Sequence, residues 1–92
     1  METARRSIEI TNQRGLHARA SAKFVAAVSK LPEGTSVLVT KDGNEASGSS
    51  ILGLMMLGAA KGDMIEVIVS GADAETKLIK LIGLVMDGFG ED

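Results

Sequence analysis

The segment Gly15-Leu16-His17-Ala18-Arg19 carries the only histidine of the 92-residue chain. It falls where a loop, Asn12-Gln13-Arg14-Gly15, gives way to a helical pattern. A helix N-terminus presents unpaired backbone N–H groups and partial positive charge. The imidazolium is disfavoured there, so the neutral, nucleophilic ring is favoured near neutral pH. An anion bonded to that ring is favoured, because the N–H groups can donate to it. A phosphoryl group is such an anion, and Arg19 can add a charge-assisted contact to its oxygens. Histidine suits phosphoryl carriage because it is first a nucleophile and then a good leaving group. Gly15 lets the loop turn tightly and leave the ring exposed. Most histidines at helix ends merely cap or hydrogen-bond, so this cluster alone leaves capping and phosphoryl chemistry evenly balanced.

A second candidate is Gly48-Ser49-Ser50-Ile51-Leu52-Gly53-Leu54-Met55. Serine before an apolar helix is ordinarily an N-cap. The functional alternative is a surface serine open to a kinase, where phosphate would alter the charge of an adjoining docking surface. The third is the apolar set Leu52, Leu54, Met55, Met56 and Leu57. A short helix apolar on nearly every side is mostly core. Its surplus would form a docking patch, with methionines that suit several partners.

Composition narrows the classes. The chain is long enough for one domain, taken as residues 1–92, and its 45% hydrophobic and 24% charged content exclude whole-chain disorder. A net charge of −2 with two aromatics, Phe24 and Phe89, argues against nucleic acid, which needs cations and stacking rings. There is no cysteine and one histidine, so neither a thiolate nor a multi-histidine metal site is expected, and no cofactor is called for. No apolar run is long enough to span a bilayer. Met1–Arg6 lacks the apolar stretch of a signal peptide, so a cytoplasmic location is expected.

The elements that must position His17 read as βαββαβα. Strands are expected over Ser7–Thr11, Thr35–Thr40, Glu45–Ser47 and Met64–Ser70, from β-branched content and alternation. Lys41-Asp42-Gly43-Asn44 is a hairpin turn. Helices are expected from about Ala18 to Leu31, over Ile51–Ala60, and from Ala74 to about Met86. Asp73 serves as N-cap of the last one, whose buried stripe is Leu78, Ile79, Ile82, Val85 and Met86. Its charges Glu75, Lys77 and Lys80 form a solvated face, and Gly88–Asp92 is a tail. Short strands with one apolar face need a helical layer on that face, which gives a two-layer α+β sandwich with the other sheet face open to water.

With these residues and this order, the chain resembles the bacterial phosphocarrier family HPr, including its nitrogen-related branch NPr. Gly15-Leu16-His17-Ala18-Arg19 is similar to the family's phosphorylation motif, and Ser50-Ile51-Leu52-Gly53-Leu54-Met55 to the motif around its regulatory serine. Lys61-Gly62-Asp63 and the Gly88-Phe89 tail add to the likeness, the tail especially towards the nitrogen-related branch. The resemblance implies an open-faced sandwich of four antiparallel strands with three helices on one side. It implies that His17 takes a phosphoryl group on Nδ1 from phosphorylated enzyme I, itself charged by phosphoenolpyruvate. His17 would then pass the group to an enzyme IIA-type domain, with Arg19 steadying it. Ser50 would be addressed by an HPr kinase/phosphorylase where the source organism has one. The expected protein is a monomeric relay component rather than a turnover enzyme, serving sugar uptake or nitrogen regulation. Many members have proline after the arginine; here Ala20 stands there, a good helix former that should keep the turn.

The docking face is expected at Leu16, Ala18, Ala20 and the second helix. Two other readings share the element order. One is a ferredoxin-like small-ligand-binding regulatory domain, which strand order in the sheet would exclude. The other is an interaction-only relative that docks without carrying phosphate.

Overall fold

A computed structural model of the chain describes residues 2–91. The elements in order are β1 (Thr3–Glu9), α1 (Ala18–Ser29), β2 (Ser36–Lys41), β3 (Asn44–Ser47), α2 (Ile51–Met56), β4 (Met64–Ser70) and α3 (Ala74–Met86), followed by a single 3₁₀ turn (Gly88–Gly90). The four strands form one sheet in the order β1-β4-β2-β3, with every neighbouring pair antiparallel. β4 thus lies between β1 and β2, and β3 lies outermost. A ferredoxin-like sheet would seat the third strand between the first two, so that reading is excluded.

Alternation along the strands sets the layers. Ile65, Val67 and Val69 of β4 and Val37 and Val39 of β2 point into the core, while Met64, Glu66, Ile68 and Ser70 face the open side. The β2–β3 hairpin closes through Asp42 and Gly43, both with positive φ (51° and 84°), the left-handed pair that a two-residue hairpin loop requires. Over the sheet, α1 buries Ala20, Ser21, Phe24 and Val28, and α3 buries Ala74, Leu78, Leu81, Ile82 and Val85. The α+β sandwich expected from the sequence is therefore present, with three helices on one sheet face.

Several local expectations differ. β1 begins four residues earlier than its alternation suggested, because pairing with β4 runs from Thr3↔Ser70 to Glu9↔Met64. The backbone ladder carries a strand whose own side chains are mostly exposed. α2 stops at Met56, since Gly58 takes a positive φ of 67° and turns the chain away. Asp73 sits in the left-handed region (φ 54°) and makes no side-chain cap. Instead the Glu2 carboxylate accepts the N–H of Ala74 at 3.1 Å, a cap supplied from the other end of the chain. In α3 the buried arc takes in Leu81, while Ile79 and Met86 are 53% and 68% exposed. The helix meets α1 and the 3₁₀ turn as well as β1 and β4, so its apolar arc is rotated towards them. Lys77 is half-buried and donates to the carbonyl of Ala72 and to Thr35 Oγ1.

The largest departure is the segment read as a tail. Phe89 is fully buried and joins Phe24, Leu78, Leu81 and Val85 among the most enclosed side chains. It holds a positive φ of 58°, between Gly88 and Gly90 at 63° and 75°. An aromatic ring is kept in a backbone conformation that costs roughly 1 kcal/mol or more because its burial outweighs that strain. We expect Phe89→Ala to lower unfolding free energy by about 3 kcal/mol or more, measured by urea titration; a loss below about 1 kcal/mol would show the ring to be peripheral.

Candidate functional site

His17 is placed by a loop with little freedom. Gly15 has a φ of +62°, and a Cβ at that position would lie 2.2 Å from the carbonyl oxygen of Ala59. The close approach lets the Leu16 N–H donate to that carbonyl at 2.9 Å, while the Leu16 side chain enters the core. The buried Ser21 hydroxyl donates to the Leu16 carbonyl at 3.2 Å, and the Ser21 N–H donates to the His17 carbonyl at 2.9 Å. The residues on both sides of His17 are thus fixed by packing and hydrogen bonds.

His17 is itself the N-cap of α1, with extended backbone (φ −78°, ψ −176°). Its Nδ1 accepts the N–H of Arg19 at 3.3 Å. Its Nε2 lies 2.8 Å from Glu91 Oε2. A lone pair on Nδ1 is needed to accept from Arg19, and a proton on Nε2 is needed to meet a carboxylate. Both contacts therefore select one tautomer, with Nδ1 carrying the free electron pair at the helix end and Nε2–H turned towards Glu91. The first-turn N–H groups beside Nδ1 have no intrahelical acceptors, so an anion bonded to this nitrogen meets donors and positive potential.

Glu91 is held in turn. Asn12, only 2% exposed, donates from Nδ2 to Glu91 Oε1 at 3.0 Å and to the Gly15 carbonyl at 2.9 Å. Lys23 Nζ donates to the Phe89 carbonyl at 2.9 Å. The hydrogen bond from Asn12 pulls the Glu91 carboxyl below its ordinary value; partial desolvation opposes this, and the bond and charge of His17 and the charge of Arg19 add to it. Arg19 is exposed and, with Gln13, Arg14, Lys23, Gly90 and Glu91, lines an open cleft of about 410 Å³.

The structure brings His17 and Arg19 together at the start of α1. The ring is less open than the sequence suggested: its side chain is 21% exposed, with the Glu91 carboxylate over one edge. Leu16 and Ala20 are 5% and 0% exposed, so they cannot form a docking face; Ala18 remains at the surface. Ser50 caps α2, its Oγ accepting the Gly53 N–H at 2.9 Å, while Ser49 is exposed. On α2, Leu54 is buried, but Ile51, Leu52, Met55 and Met56 are 40%, 66%, 39% and 77% exposed. α2 packs against α1, and the chain leaving α2 reaches Ala59, the acceptor for the Leu16 N–H.

Asn12, Lys23 and Glu91 were not legible as site residues. Lys23 stands four residues after Arg19 and so shares its helix face, a usable signal. For Glu91 the one hint was an aromatic residue between glycines in an otherwise polar segment. Among the described residues no cluster of His, Cys, Asp and Glu could hold a metal ion.

Comparison with known proteins shows the family. The family described as PTS HPr component phosphorylation site matches residues 4–87. The phosphocarrier protein HPr of Neisseria meningitidis serogroup A is 47% identical over 95% of this chain and 96% of its own. The phosphocarrier protein NPr of Escherichia coli is 40% identical over 98% and 99%. Among solved structures, the crystal structure of HPr-C-His from Thermoanaerobacter tengcongensis superposes with a TM-score of 0.88 at 36% identity, over 97% of this chain and 98% of that one. The chain belongs to the HPr family of phosphocarrier proteins of the phosphotransferase system.

The lowered Glu91 carboxyl fixes the sign of a pH effect. The unfolded chain, with an ordinary glutamate, binds its proton at higher pH than the folded chain. The contribution of this group is therefore complete above the ordinary glutamate range and is lost as pH falls through the lowered value. Urea unfolding of the parent and of Glu91→Gln at several acidic pH values should show the parent losing its advantage on acidification. Parallel pH curves for the two proteins would contradict this.

Proposed function

We propose that this chain carries a phosphoryl group on Nδ1 of His17, receiving it from phosphorylated enzyme I and delivering it to a histidine of an enzyme IIA-type domain. The observation that carries this reading is the presentation of a free Nδ1 electron pair at the N-terminus of α1, against the Arg19 N–H. In the acceptance step, the Nδ1 lone pair attacks phosphorus in line. The bond to the donor nitrogen breaks, and its electron pair returns to the donor ring. The proton on Nε2 stays in place, and the acceptor ring becomes a phosphoimidazolium. Arg19 N–H passes from Nδ1 to a phosphoryl oxygen, and the exposed Arg19 guanidinium supplies a second cation within reach. Delivery is the same step reversed onto a new nitrogen, so the protein is a carrier and completes no small-molecule turnover.

Both partners must dock over His17. Ala18 and the exposed Ile51, Leu52, Met55 and Met56 are the surface suited to this, apolar enough to bind and small enough to release. Ser50 at the head of that helix is the proposed regulatory position. A phosphate there would keep the favourable helix end but set a double negative charge in the apolar docking patch.

Mixing the protein with enzyme I and phosphoenolpyruvate and following intact mass tests the carrier role. The parent should gain one phosphoryl group that is lost in acid and stable in base. His17→Ala should fold and gain none, and its normal labelling would refute the assignment. Arg19→Ala should be labelled at least about tenfold more slowly, the size of one lost charge-assisted contact; equal rates would remove Arg19 from the site. Ser50→Asp should weaken binding to enzyme I, measured by titration calorimetry, and unchanged affinity would reduce Ser50 to its capping bond.

A further inference from the structure

The carrier reading uses Nδ1 and leaves the opposite edge of the ring unexplained. That edge is not left to solvent. Nε2 meets Glu91 Oε2 at 2.8 Å, the shortest side-chain contact made by the ring. The second oxygen of the same carboxylate is occupied by Asn12, whose position is fixed by burial and by its bond to the Gly15 carbonyl. The backbone bearing Glu91 is fixed two residues upstream, where Phe89 is locked in the core and its carbonyl is held by Lys23. Three independent restraints therefore converge on delivering one carboxylate to one ring nitrogen. The Asn12 amide is oriented for this: its Nδ2 faces Glu91 although its Oδ1 is then buried with no partner. The opposite amide orientation would set an oxygen against both the carboxylate and the Gly15 carbonyl, so the two acceptors together fix the amide.

We propose that Glu91 is a positioning residue of the phosphoryl relay. Seated by Asn12 and by the Phe89 anchor, its carboxylate holds the Nε2–H of His17, keeps Nδ1 directed at the helix end, and balances the positive charge that the ring gains with the phosphoryl group. This rests on the carrier reading for its chemistry but has its own geometric content. In acceptance, a neutral imidazole becomes a phosphoimidazolium while Nε2–H is retained. The hydrogen bond to Glu91 thus changes from neutral–charged to charged–charged as the new bond forms. A contact that strengthens along the reaction lowers the barrier, whereas one of constant strength does not. The phosphoryl group leaves from the far side of the ring, so the carboxylate stands closer to the ring cation than to the phosphoryl oxygens. The same contact stabilises the charged carrier relative to the uncharged one, which places Glu91 among the groups that set how readily the protein gives its phosphoryl group away.

Three variants separate this role from a merely structural one. Glu91→Gln keeps an acceptor for Nε2–H without charge, Glu91→Ala removes both, and Glu33→Gln removes a distant exposed charge as a control. In proton–nitrogen correlation spectra of the free protein, a hydrogen-bonded Nε2–H resonance of His17 should be visible in the parent and in Glu91→Gln. It should be lost to exchange with water in Glu91→Ala. In single-turnover labelling by phosphorylated enzyme I, Glu91→Ala should be slowed about tenfold and Glu91→Gln several-fold, with Glu33→Gln at the parental rate. The exchange equilibrium between carrier and enzyme I should shift towards enzyme I by a similar factor. An unaltered Nε2–H resonance in Glu91→Ala, or labelling of Glu91→Ala at the parental rate and equilibrium, would overturn the assignment while leaving His17 as carrier. A parent that takes no phosphoryl group at His17 would instead overturn the carrier reading, and the chemical role of Glu91 with it.

Discussion

One hydrogen bond organises the site: the N–H of Arg19 donating to Nδ1 of its own helix cap. Helix caps are normally serine, threonine, aspartate or asparagine, whose short side chains reach back to the first turn with ease. Histidine performs the same task here with a ring nitrogen. The local preference is broken at the position proposed as the nucleophile, as expected where function takes precedence over stability. The bond does two things at once. It satisfies an otherwise unpaired helix donor, and in the proposed relay it marks the place where a phosphoryl oxygen would be received. On that proposal, the donor has only to change acceptor when the phosphoryl group arrives.

Everything near His17 serves to keep that bond in register. The left-handed turn at Gly15 brings the loop against Ala59 so closely that no side chain could be carried there. Leu16 and Ala20, on either side of the cap, are drawn into the core, and Ser21 ties the loop to the helix from beneath. The last residues of the chain approach from the other side. Phe89 fills the core beside α1 and α3, and its burial delivers Glu91 to the second ring nitrogen. The ring is consequently gripped on both edges and still 21% exposed, which suits a group that must be reached briefly by a partner but must not wander between visits.

The sequence was informative wherever the signal was local. β4 and α3 were legible from alternation and helical spacing, and the position of His17 and Arg19 at a loop–helix junction was legible from the elements on either side. What escaped depended on contacts distant in sequence. The extension of β1 comes from pairing with β4, and the cap of α3 comes from Glu2 rather than from the adjacent Asp73. The inward turn of α3 to Leu81 answers to neighbours the helix cannot know from its own period. Glu91 was the hardest case: an acidic residue in a glycine-rich segment has no periodicity to betray it, and only the burial of Phe89 shows why it stays. Of the residues expected to meet partners, the exposed apolar excess of α2 was visible in the sequence but the burial of Leu16 and Ala20 was not.

The central claim is that Nδ1, and no other nucleophile of this chain, bears the phosphoryl group. The most direct measurement is phosphorus–nitrogen NMR on protein labelled with nitrogen-15 in histidine and charged by enzyme I. The account predicts a phosphorus resonance coupled to Nδ1 of His17, with Nε2 still protonated. Coupling to Nε2, or a phosphorus resonance on a serine oxygen with an unmodified ring, would contradict it.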